Sequence, residues 1–160
     1  VVAATGERDR PVLKAFASGD GVPLWSRSFS NPSFVVDMDA ADRRLLVAGV
    51  DFSVGATEQQ FVQGLDPATG ATLWEHRVRG TQPRAVAVDR NRLVVGGVGW
   101  DSWVYDTWSG RLLVDEPTLP EPPNLWMLGV AAEKGRYFLV GAFLADPGDT
   151  TFGVRAYSAR

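Results

Sequence analysis

The sequence contains no cysteine. That excludes disulfides, thiolate metal sites and a cysteine nucleophile. It contains one histidine, His76, so a histidine-rich metal site or a histidine-paired triad has no second member to draw on here. Lysine is nearly missing: of the sixteen cationic residues only Lys14 and Lys134 are lysines, a skew that reads as the coding bias of a GC-rich genome. The formal charge of −3 supplies no basic field for phosphate backbones, so no nucleic-acid partner is expected. No apolar run approaches the roughly 18–20 residues of a membrane-spanning helix. There is no initiator methionine and no pattern of charged, apolar and small-residue regions that would mark a signal peptide. The chain opens inside a strand-like run, VVAAT, and reads as a mature or excised segment.

Helical periodicity is missing as well. Apolar residues come in short runs rich in Val and aromatics, broken by Gly, Pro, Asp and Asn, which is the pattern of strands. The runs fall at 1–5, 11–17, 22–29, 34–39, 44–51, 59–66, 71–79, 83–89, 92–99, 101–106, 111–116, 126–132, 136–144 and 151–158. So many short strands at such close spacing predict an all-β sandwich, barrel or propeller. A parallel sheet would need crossover helices, for which there is no room.

Internal repeats choose among these. FVQGLDPATGATLWEHRV (61–78) aligns with VLKAFASGDGVPLWSRSF (12–29), placing Gly70 on Gly21 and Trp74 on Trp25. It also aligns with WVYDTWSGRLLVDE (103–116), placing Asp66 on Asp106, Thr69 on Ser109 and Gly70 on Gly110. A second series, FVVDMDAADRRLLVAGV (34–50), AVAVDRNRLVVGGVG (85–99) and LGVAAEKGRYFLVGAF (128–143), reads strand, polar turn, strand, glycine. The tail FGVRAYSAR places Tyr157 on Leu65. The unit is four strands: an inner one (34–39), a second (44–51), a third (59–66) and an outer one (71–79). The hairpins Asp89-Arg90-Asn91 and Glu133-Lys134-Gly135 suit residues that tolerate positive φ, Asn and Gly. The glycine of each Thr-Gly or Ser-Gly supplies the positive φ between third and fourth strands. Four-stranded units at this period predict propeller blades.

GLDPATGATLW (64–74) resembles the repeat of the pyrroloquinoline-quinone-like (quinoprotein-type) β-propellers, whose turn is usually Ala-x-Asp-x-x-Thr-Gly-x-x-x-Trp. Here Gly64 replaces the Ala, while Asp66, Thr69, Gly70 and Trp74 stand in their places. The resemblance implies that Trp74 docks between blades on the Thr-Gly peptide of a neighbour and that Asp66 braces the turn. The first copy keeps Gly21 and Trp25, with Ala17 for the Asp and Asp20 for the Thr. The third keeps Asp106, Ser109 and Gly110, with Val114 for the Trp. The chain is therefore expected to be one segment, 1–160, of about three and a half blades. These are a partial blade at 1–30, blades at 33–79 and 83–117, and a partial blade at 126–160. Such an arc would expose bare faces and edges, so the remaining blades of the same propeller are expected as partners.

Groups that might do chemistry have plainer readings beside them. His76, two residues after Trp74, reads as a surface or rim residue. Asp37, Asp39 and Asp42 look like the start of a calcium loop but lack its Gly and Glu, and read as a polar hairpin end. Asp115 and Glu116 are neighbours on a strand and point to opposite faces, unlike a glycosidase pair. Trp100, Trp103 and Trp108 cluster about one hairpin. They would form a ligand platform for sugars or aromatic rings, or they are core residues with Trp108 in a turn. GGVGW (96–100) lacks the strand-to-helix context of a phosphate loop. The Pro-rich loop TLPEPPNL (118–125) is the expected place of partner contact.

The sequence thus reads as a non-catalytic propeller module, a scaffold or protein-binding platform with partners on its rim loops and no cofactor. The resemblance further implies an exported bacterial protein, periplasmic or extracellular. Two alternatives stand. One is a fragment of a quinoprotein dehydrogenase whose quinone and calcium site lies outside the segment. The other is a ligand- or sugar-sensing propeller using the Trp100–Trp108 cluster.

Overall fold

The structure, a computed structural model, describes residues 2–7, 10–29, 33–41, 43–52, 59–79, 82–116, 125–146 and 149–158. Fourteen strands run along the described residues. They are β1 (Val2–Glu7), β2 (Arg10–Phe16), β3 (Pro23–Ser28), β4 (Ser33–Ala41), β5 (Arg44–Asp51), β6 (Gln59–Leu65), β7 (Thr72–Arg79), β8 (Pro83–Asp89), β9 (Arg92–Gly97), β10 (Ser102–Asp106), β11 (Leu112–Glu116), β12 (Leu125–Glu133), β13 (Arg136–Asp146) and β14 (Asp149–Ser158). They form four antiparallel sheets in which sequence neighbours pair: β1-β2-β3, β4-β5-β6-β7, β8-β9-β10-β11 and β12-β13-β14. The protein is therefore all-β, and each sheet is a meander. Tight turns suffice to join such strands, which is why the sequence shows turn residues and no crossover helices.

The repeat seen in the sequence reappears as irregularities of register. The first two strands of three sheets slip at equivalent places, between Val35 and Asp37, Pro83 and Ala85, and Met127 and Gly129. The last two strands slip just before the turn, at Ala15/Phe16, Gly64/Leu65 and Val104/Tyr105. A bulge adds twist and re-aims the side chains beyond it.

The second and third sheets bury side chains from both faces, which explains the weak alternation of their strand sequences. One cluster joins β2 to the second sheet through Leu13, Leu45, Val47, Phe61 and Leu65. A second joins that sheet to the third through Leu46, Ala48, Val62, Leu93, Val95, Trp103 and Tyr105. A third joins the third sheet to the fourth through Val94, Val104, Met127, Tyr137 and Leu139. Odd and even positions of β5 thus serve different neighbours, as the two-residue period requires.

Two local expectations change. The strand expected over 92–99 ends at Gly97, and Val98–Trp100 forms a 3-10 turn. There the Val98 N–H donates to the Gln82 carbonyl. In the hairpins the positive φ sits on Arg90 (56°), not on Asn91, and on Lys134 (52°) together with Gly135 (74°). Asp89 pairs directly with Arg92, so a two-residue turn must place its first residue there whatever its side chain.

Candidate functional site

The Asp-x-x-Thr-Gly turn closes on itself. The Gly70 N–H donates to the Asp66 carbonyl (2.8 Å), and the Asp66 N–H to the Ala71 carbonyl (2.9 Å). The Asp66 carboxylate accepts the Ala68 N–H (2.8 Å), and the Thr69 hydroxyl oxygen accepts the Ala71 N–H (3.3 Å). The third copy does the same with Asp106 and Ser109. Asp106 accepts the N–H groups of Trp108 (3.1 Å) and Ser109 (2.8 Å) and the Ser109 hydroxyl (2.8 Å). Those bonds, the Ser109 backbone first, hold the Asp106 carboxyl below its ordinary pKa. In the first copy Asp20 occupies the threonine's place and performs its task, accepting the Val22 N–H (3.1 Å). The degeneracy of that copy in sequence hides a conserved hydrogen bond between copies.

Beside each of two turns stands an indole from the preceding sheet. Trp25 of β3 donates its Nε1–H to the Pro67 carbonyl (2.9 Å), and Trp74 of β7 to the Thr107 carbonyl (2.9 Å). The rings lie so close that a Cβ on Gly70 would be 2.8 Å from Trp25 Cε3, and one on Gly110 would be 2.5 Å from Trp74 Cε3. Glycine is required here twice over, for φ of 72° and 69° and for space. Gly64, where the resembled repeat has Ala, pairs with Trp74 across the strands and lies under its indole. In the third sheet the position of these tryptophans is held by Val114, which packs toward the fourth sheet.

Polar residues fasten the sheets in a way the sequence reading missed. Asp37 and Asp39 do not form a hairpin end. They lie within β4, and their carboxylates accept the N–H groups of Val86 and Val88 on β8, both at 2.9 Å. Asp89 reaches Gly135 of the fourth sheet in the same manner. Asp42 lies outside the described residues. The two-residue spacing of Asp37 and Asp39 matches the spacing of same-side N–H groups along a strand, a signal visible only once β8 is known to be the neighbour. Asp37→Ala and Asp39→Ala should each destabilise the chain by about 1–3 kcal/mol, the cost of orphaning a backbone donor. Hydrogen exchange at Val86 and Val88 should accelerate in the matching variant.

Buried polar side chains also mark β6. Gln59, Gln60 and Gln63 are all buried. Gln63 accepts from Arg27 (3.1 Å) and donates to Glu75 (2.7 Å), and Gln60 donates to the Tyr105 hydroxyl (3.4 Å). Asp51, also buried, pairs with Arg77 at 2.8 Å. His76 is not fully at the surface. It is half-buried with its imidazole edge against Tyr105, ring centroids 5.1 Å apart. Asp115 is exposed, and the Glu116 side chain, Pro117 and residues 118–124 of the Pro-rich loop lie outside the described residues.

Burial raises the pKa of the Tyr105 phenol well above its ordinary value. The proton then binds more tightly in the folded chain than in the unfolded one. Below about pH 10 both states hold it and nothing changes. Above that, the unfolded state gains by ionising and the folded state does not, so stability falls as pH rises. Urea unfolding compared at about pH 8 and about pH 11 should show a smaller alkaline loss in Tyr105→Phe than in the parent.

The three tryptophans proposed as a platform do not assemble. Trp103 (3% exposed) packs toward the second sheet, and Trp100 (5% exposed) toward the fourth. The two rings thus enter different cores and share no open face. Trp108 alone is open, 57% exposed at the tip of the Asp106 turn, with the Arg44 guanidinium carbon 4.2 Å from its ring centroid. Among the described residues no group of three or more His, Asp or Glu side chains is placed to hold a metal ion. No helix among them is long and apolar enough to cross a membrane.

No family model matches the sequence, and no curated protein matches it either. Solved structures do. The chain is similar to a computationally designed protein, Ika4, with a TM-score of 0.56 and 17% identity over 96% of this chain and 90% of that one. A second computationally designed protein, Ika8, aligns with a TM-score of 0.43 and 15% identity over 94% of this chain and 57% of that one. At such identities the likeness to Ika4 concerns the fold alone.

Proposed function

We propose that the four sheets are successive blades of a β-propeller of the pyrroloquinoline-quinone-like kind, and that this segment is a non-catalytic scaffold that binds a protein partner on its rim. The repeated fastening of sheet to sheet, indole on turn and carboxylate on inner strand, supports the architectural half. The carboxylates of Asp37, Asp39 and Asp89 are engaged with backbone donors, so the acidic groups nearest the inner strands already have a structural task. By the resemblance in sequence the module belongs outside the cytoplasm, and the remaining blades of its propeller are its nearest partners.

The observation that carries the binding half is Trp108. It is the large aromatic left open on a tight turn, and Arg44 from the neighbouring sheet lies over its ring. Stacking of this kind fixes both side chains before a partner arrives, and Trp and Arg are the residues most often found at the energetic centre of interfaces. Photo-crosslinking from an aromatic photoprobe at position 108 tests the reading. A discrete protein adduct, lost on Arg44→Ala, is expected. Saturable binding of the quinone with calcium, accompanied by dye-linked oxidation of an alcohol or sugar, would replace this reading with the dehydrogenase one.

A further inference from the structure

Three turns of the chain share one backbone. Gly21, Gly70 and Gly110 have φ of 72°, 72° and 69°. Each donates its N–H four residues back, to the carbonyls of Ala17, Asp66 and Asp106. Among the described residues, two of the three carry an indole and one does not. A Cβ on Gly70 or Gly110 would strike Trp25 or Trp74, whereas a Cβ on Gly21 would meet no atom within 4 Å. In the filled turns the indole N–H bonds the carbonyl three residues before the glycine, that of Pro67 or Thr107. The corresponding carbonyl in the first turn is that of Ser18.

We infer that the turn 17–21 and the adjoining face of β2 are a docking site for a tryptophan carried on the outer strand of a further four-stranded sheet of the same kind. The inference rests on the stacked-sheet reading above. It also specifies the neighbour of that tryptophan. Two residues beyond Trp25, Arg27 donates to the Gly70 carbonyl (2.8 Å) and to Gln63 (3.1 Å). The residue at Gln63's place in the first copy is Lys14. It lies on β2 next to Leu13, which is buried against the second sheet, and so turns to the other face. A cation two residues past the incoming tryptophan would oppose Lys14; a carboxylate would pair with it. The strand this site takes therefore reads Trp-x-Glu or Trp-x-Asp.

The test titrates isotope-labelled protein with a strand peptide, residues 71–79 of this chain carrying His76→Glu, and follows amide shifts. Ring-current shifts centred on Gly21 and Ser18 are expected. A peptide that also carries Trp74→Ala should produce none, and Gly21→Val in the protein should abolish them. The peptide with His76 retained should bind about twofold to fivefold more weakly, the weight of one exposed ion pair. The site is overturned if the tryptophan peptide leaves Gly21 unshifted, if the tryptophan-free peptide shifts it equally, or if the shifts survive Gly21→Val. Exchange of the Trp25 and Trp74 indole N–H groups separates two kinds of failure. If both are protected while the peptide does not bind, the docking site falls and the stacked sheets stand. If both exchange as freely as exposed indole, the stacked-sheet reading falls with it.

Discussion

Trp74→Ala should cost about 3–5 kcal/mol of folding stability, the range for deleting a packed tryptophan. Four contacts are lost together. The indole covers Gly64 within its own sheet, abuts Gly110 in the next, donates to the Thr107 carbonyl and packs on the cluster around Val62 and Trp103. The Asp37 and Asp39 bonds to β8 fix the spacing of the two sheets elsewhere and so limit collapse into the space. The cavity term is therefore added to the transfer term. Against a total stability of about 5–15 kcal/mol for an ordinary domain, this one change leaves a marginal fold. Urea unfolding followed by far-ultraviolet circular dichroism would report it as a lower midpoint. Trp74→Phe should recover part of the loss by filling space without restoring the hydrogen bond. A cost below about 1 kcal/mol would mean that the indole is not wedged between sheets.

The strands and their pairing order were legible because strand sequences carry short-range signals: Val-rich runs, tight polar turns and the recurring glycine before a fourth strand. The turn residues Asp66, Thr69, Gly70, Asp106, Ser109 and Gly110 were legible for the same reason, since each bonds within a few residues of itself. What the sequence concealed is what depends on the neighbouring sheet. Asp37 and Asp39 read as a hairpin end because the N–H groups that donate to them, those of Val86 and Val88, lie 49 positions away. Gln60 and Gln63 look like ordinary strand residues until Tyr105 and Arg27 stand opposite them. Trp100 and Trp103 are three residues apart in sequence yet enter different cores. The pair of exposed Trp108 and half-buried Arg44 was half visible: the turn position of Trp108 follows from the Asp106 motif, but the guanidinium over it comes from another sheet.

Gly110→Val should be as damaging as the loss of Trp74 itself, and for a reason that can be separated into two parts. The first is backbone. A φ of 69° places the residue in the left-handed region, which costs an L side chain about 1–2 kcal/mol. The second is steric. The added Cβ would stand 2.5 Å from Trp74 Cε3, so the indole must leave its place. Together these predict a loss of about 4–6 kcal/mol. Gly21→Val isolates the first part. Gly21 has nearly the same φ, 72°, but its Cβ would meet nothing within 4 Å. Its cost should stay near about 1–2 kcal/mol. In a double-mutant cycle, Gly110→Val combined with Trp74→Ala should cost less than the sum of the single changes by about 3–4 kcal/mol, the steric part, because the clash disappears with the ring. Gly21→Val combined with Trp74→Ala should be additive, since the first turn and Trp74 share no contact. Additivity in the Gly110 pair would show that the glycine is required for its backbone alone and that the indole does not rest on it.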